Sequence, residues 1–76
     1  MSQRLKQTFA DIRYRQHDID IALDEESNSW EITVVNLYGD CIYHGYQARY
    51  IDAMDVSEQM VNLYIKSQPA DYGDPR

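Results

Sequence analysis

Seventy-six residues, 43% hydrophobic and 26% charged, hold one domain and exclude a second. No apolar run approaches the ~20 residues of a membrane span, and a single cysteine excludes an internal disulfide, which fits a reducing, cytoplasmic location. Thirteen acids against seven bases give a net charge of −6, ill suited to nucleic acid, which is bound mainly by cations that displace phosphate counterions.

The first segment, "MSQRLKQTFADIRYRQH", lacks the continuous apolar stretch of a secretory signal. Within it Leu5, Phe9 and Ile12 recur at helical spacing with charged residues between them, and this predicts a short amphipathic helix over 3–15. Four of the seven bases, Arg4, Lys6, Arg13 and Arg15, fall here. They are the basis of an alternative function, a nucleic-acid-associated protein with a basic N-terminal helix.

"HDIDIALDE" alternates: Ile19, Ile21 and Leu23 point one way, and Asp18, Asp20 and Asp24 the other, as on a half-buried strand. "EESN" is a polar loop, and "WEITVVNL" is a second strand rich in β-branched residues. "YGD" places Gly39 where a three-residue hairpin wants a left-handed residue, and "CIYHGYQA" is a third strand. Asp52 is then a candidate N-cap for a helix running to about 67. Its apolar stripe is Ala53, Val56, Met60, Leu63 and Tyr64. "SQPADYGDPR", with both prolines, reads as a disordered tail over 68–76, leaving one α+β domain over 1–67.

The two turns specify a register. Closing the first hairpin at "EESN" pairs 19 with 34, 21 with 32 and 23 with 30. Closing the second at "YGD" pairs 34 with 44, 32 with 46 and 30 with 48. Both then give one buried face of Ile19, Ile21, Leu23, Trp30, Ile32, Val34, Ile42, Tyr46 and Ala48. The opposite face carries Glu31, Thr33, Gln47 and three aspartates. It also carries an apolar cluster of Val35, Leu37, Cys41 and Tyr43, which needs a cover. The N-terminal helix and a second copy of the chain are the two candidates.

"LYGDCIYHGYQ" concentrates chemistry-bearing residues, but strand alternation turns Cys41 outward and His44 inward, so C-x-x-H does not converge on a metal or form a nucleophilic pair. Asp18 and Asp20 share a face without a third ligand, and "DEES" is not a calcium loop. There is no phosphate-binding glycine loop and no nucleophile elbow. Neither cofactor, metal nor small-molecule ligand is expected. Seven tyrosines favour contact surfaces, and with the outer cluster they give the candidate interaction residues Val35, Leu37, Cys41, Tyr43 and Tyr50.

From Asp18 to Ile65 the order is strand, acidic turn "DEESNSW", strand, glycine turn, strand carrying Gly45, and the helix "DAMDVSEQMVNLYI". This order resembles the small β-β-β-α domain of HicB-type antitoxins, with "NLYGDC" in place of that family's proline-rich turn. The resemblance implies an acidic module that associates with itself and masks a basic protein partner. The expectation is therefore an α+β protein: a three-stranded antiparallel meander, a C-terminal helix on one face and a short N-terminal helix. Its expected function is non-enzymatic protein interaction, as a homodimer or with a basic partner. An accessory subunit of an enzyme is a further alternative.

Overall fold

The computed structural model describes residues 7–70 and residue 72, with side chains from Ala10 onward. Four strands, β1 (Gln7–Tyr14), β2 (His17–Asp24), β3 (Ser29–Val35) and β4 (Cys41–Gln47), precede one helix, α1 (Tyr50–Lys66). The strands form one antiparallel sheet in the order β1-β2-β3-β4, with α1 against one face.

The expected N-terminal helix is not found over 7–14, which form β1 instead, making the sheet four-stranded rather than three-stranded. Arg4, Leu5 and Lys6 lie outside the described residues. Ala10, Ile12 and Tyr14 alternate with Asp11 and Arg13, so the segment holds a period-two pattern as well as a period near 3.6. Tertiary pairing selects the former: Ile12 lies opposite Ile19 and Tyr14 opposite His17. The hairpin turns at Arg15 and Gln16, with φ of 51° and 67°. Two successive positive φ values are what a tight hairpin requires. For L-residues each costs ~1–2 kcal/mol, so no glycine or asparagine advertises this turn.

The β2–β3 register is as expected, with Ile19 opposite Val34, Ile21 opposite Ile32 and Leu23 opposite Trp30. The β3–β4 register is not. Val34 lies opposite Tyr43, Thr33 opposite His44, Ile32 opposite Gly45 and Glu31 opposite Tyr46, one residue away from the expected pairing. The turn spans 36–40 rather than "YGD". The Asn36 N–H donates to the Asp40 carbonyl at 2.8 Å, and the Asn36 side-chain oxygen accepts from the amides of Tyr38 and Asp40, both at 2.9 Å. Gly39, at φ 91°, supplies the left-handed residue inside this loop. A bulge follows where Val35 meets Cys41, leaving Ile42 as the extra residue. Tyr46 is therefore not a core residue but 47% exposed on the far face, and Ala48 is exposed beyond the strand. Ile42 still packs on the core, because the bulge lets both it and Tyr43 turn inward.

The core is Ile19, Ile21, Ile32 and Val34 beneath Ala53 and Val61 of α1, all 0% exposed. Each fully buried Ile or Val contributes ~1.5–3 kcal/mol. The buried helix stripe is Ala53, Ser57 and Val61, and Leu63, expected inside, is 58% exposed. Ser57 tolerates burial because its hydroxyl donates to the Ala53 carbonyl at 2.6 Å. The helix also begins earlier than expected: Arg49 is the N-cap, and Asp52 sits in the first turn. There its carboxylate accepts two bonds from Arg49, at 2.9 and 3.1 Å, so the guanidinium holds the Asp52 carboxyl below the usual carboxylate range.

Aromatic contacts fix the helix at both ends. Tyr50 packs edge-to-face on Trp30 at 5.2 Å, and Tyr64 packs edge-to-face on His17 at 6.0 Å. On the helix side of β4, the Tyr43 ring lies over Gly45, filling the space a Cβ would occupy, with the ring carbon Cζ 2.8 Å from that position.

Two substitutions test this arrangement. Gly45→Ala should destabilise by ~1–3 kcal/mol as the Tyr43 ring is forced off the strand, read from a denaturant midpoint. Asn36→Ala should cost ~2–3 kcal/mol by stranding the Tyr38 and Asp40 amides, with NMR shifts concentrated in β4.

Candidate functional site

The face of the sheet away from α1 carries no helix among the described residues. Its side chains follow from the pairing. Arg13, Asp18, Val35 and Cys41 form one row across the strands. Asp11, Asp20, Thr33 and His44 form the next, and Ala22, Glu31 and Tyr46 the third. The row holding Asp11 and Asp20 sets two carboxylates directly opposite each other on neighbouring strands. Such a like-charge pair opposes folding by ~0.2–1 kcal/mol. Arg13 bonds Asp18 at 3.2 Å, and both are more than half exposed. That exposed pair adds little stability. Among the described residues neither Asp11 nor Asp20 has a cation within ion-pair distance.

At the β4 side of this face Glu31 is 7% exposed, and its carboxylate meets His44 Nε2 at 2.5 Å while accepting from the Tyr46 hydroxyl at 3.4 Å. The rings of His44 and Tyr46 stand edge-to-face at 5.5 Å. His44 was expected inside, opposite Val34. It lies outside because of the one-residue register shift. Cys41, paired with Val35, lies on the same side as His44, contrary to the expected opposition of the two. They still do not converge: the Cys41 thiol donates to the Tyr43 carbonyl at 3.5 Å, while His44 is engaged by Glu31. Among the described residues no group of three or more His, Cys, Asp or Glu side chains is placed to hold a metal ion.

The five candidate interaction residues do not form one patch. Val35 and Cys41 are paired on the outer face, and Leu37 sits in the 36–40 loop. Tyr43 and Tyr50 pack against the core on the helix side. The expected basic helix does not form either, since Arg13 lies in β1 and Arg15 at the turn, where its guanidinium donates to Asn62 of α1 at 2.6 Å.

A second concentration of polar and aromatic groups lies where β2 starts and α1 ends. His17 is 0% exposed. Its Nδ1–H donates to the Arg15 carbonyl at 2.8 Å, which leaves Nε2 to accept from the Tyr72 hydroxyl at 3.0 Å. Tyr72, from the segment expected to be a loose tail, packs edge-to-face on Tyr64 at 5.6 Å and on Tyr38 at 6.0 Å. Asn36 joins the group by donating to the Tyr64 hydroxyl at 3.3 Å. An adjoining cleft of about 280 Å³ is lined by Arg15, Gln16, Ile65 and Tyr72. Sequence reasoning missed this cluster because residues 17, 38, 64 and 72 are far apart in the chain. No local pattern around Tyr72 marks it as anchored, since the segment reads as a tail from its prolines and glycine.

Burial, then the neighbouring phenols of Tyr64 and Tyr38, hold the Tyr72 hydroxyl above the ordinary tyrosine value of 10.0. A raised value in the folded state means that docking is fully present below pH 10 and is lost as pH rises through the folded value. A phenolate absorbance titration should therefore lose a late-titrating component in Tyr72→Phe.

No described helix is long and apolar enough to cross a membrane. Compared with known proteins, the chain matches no family model, no curated protein and no solved structure.

Proposed function

We propose that this chain is a small acidic, non-enzymatic interaction module whose helix-free sheet face binds a basic protein partner. The observation that carries the reading is the Asp11–Asp20 pair, opposed across β1 and β2 on that face, with Asp18 two residues from Asp20 on the same strand. A like-charge pair of this kind is a cost to the free protein. A lysine or arginine from a partner would convert that cost into binding free energy. The net charge of −6 draws such a partner in at long range. An antitoxin-like role, in which the masked partner is a basic toxin, is one form of this reading. It rests on the strand-strand-strand-helix order from Asp18 to Ile65 that resembles the HicB type.

The test is the double substitution Asp11→Asn with Asp20→Asn. The free protein should become more stable by ~0.2–1 kcal/mol, since the repulsion is removed. A basic partner captured from the native host's lysate, then purified, should bind the variant at least tenfold more weakly and with a shallower salt dependence. Equal affinity for the two proteins would overturn the reading, and so would a captured partner that is itself acidic.

A further inference from the structure

The two edges of the sheet are built differently. β1 carries two charged residues in its regular part, Asp11 and Arg13, and a register irregularity between Thr8 and Ala10. Charges and bulges on an edge strand block pairing with another chain. β4, "CIYHGYQ", has no Asp, Glu, Lys, Arg or Pro, and its bulge lies at the loop end, leaving Tyr43 to Gln47 in regular register with β3. Among the described residues β3 is its one strand neighbour, and no further strand pairs with the far side of β4.

We propose that β4 is the self-association edge: two copies of the chain pair antiparallel through β4, joining two four-stranded sheets into one. The charge distribution selects a second copy over other occupants. A protein of net charge −6 resists self-association wherever its acids meet. Asp11 is on β1, and Asp18, Asp20 and Asp24 are on β2, at the opposite side of the sheet from β4. Pairing through β4 puts five strand spacings between the two β2 strands, roughly 24 Å at ~4.8 Å per strand. That is about three times the ~8 Å Debye length at physiological ionic strength, so the two acidic regions barely repel. Pairing through β1 would bring them together. An antiparallel strand pair is also its own two-fold mate, so identical β4 strands satisfy each other without a second surface. The acidic faces remain at the outer ends of the joined sheet, so this inference is independent of the partner-binding reading.

The experiment combines mass by light scattering across a concentration series with site-resolved amide hydrogen exchange. A dimer is expected, with β4 amides whose exchange slows as concentration rises while β1 amides do not change. Antiparallel pairing about a two-fold near the middle of β4 sets the two copies of residue 44 opposite or diagonal to each other. The variant His44→Lys with Gln47→Lys therefore adds like charges across the joint, while a lysine ammonium at 44 can still meet Glu31. Its dissociation constant should rise at least tenfold, with an unchanged circular dichroism spectrum. A wild-type protein monomeric at millimolar concentration would overturn the proposal. So would a dimer whose β4 amides exchange independently of concentration, or one indifferent to the two lysines. If the variant fails to fold, the wild-type exchange pattern still decides.

Discussion

The side chain of Asn36 is the constraint on which the rest of the hairpin region depends. It is 4% exposed and uses both ends of its carboxamide, closing the 36–40 loop with its oxygen and reaching Tyr64 with its nitrogen. Each bond is worth only ~0.5–1.5 kcal/mol net. Their effect is larger than their energy, because the loop length determines how β4 meets β3. A shift of one residue turns every regular β4 side chain to the other face. With this loop Tyr43 goes in over Gly45, and His44 and Tyr46 go out to Glu31.

The core shows how a small chain uses a narrow margin. A domain of this size buries only ~60% of its unfolded surface, so poorly used contacts are costly. Isoleucine and valine fill the sheet side, where β-branched side chains fit a pleated surface. Ala53 and Ser57 keep the helix side thin, so α1 settles directly on the sheet. Polar groups are buried only with partners: Ser57 to its own helix, His17 between Arg15 and Tyr72, and Glu31 beneath His44 and Tyr46. Among the described residues no buried side-chain polar atom lacks a hydrogen bond.

The surface is divided as clearly as the core. Strands β1 and β2 hold the exposed aspartates of the helix-free face, β3 holds the buried Glu31, and β4 holds no acid. The aspartates of β1 and β2 and the strand without Asp, Glu, Lys or Arg therefore lie toward opposite sides of one sheet.

How much of this was legible depended on whether a residue's role was local. Strict alternation over His17 to Asp24 and the β-branched run over Trp30 to Val35 determined two strands, their turn, their register and their buried isoleucines, because burial on a strand is a period-two property of the chain itself. The helix and its acid-first, base-last polarity were legible for the same reason. Tertiary structure alone decided the rest. "TFADIRY" satisfies two periods at once, and only pairing with β2 chooses strand over helix. Arg15 and Gln16 carry no turn signal, and their positive φ values are held by the strands they join. Ser57 enters the core because a hydrogen bond within the helix offsets its polarity, which no hydrophobic pattern can register. Glu31 meets His44 through a bulge set by one asparagine, and Tyr72 meets His17 across 55 residues. Contacts of that kind depend on where the backbone has already been placed, so the one-dimensional pattern does not contain them.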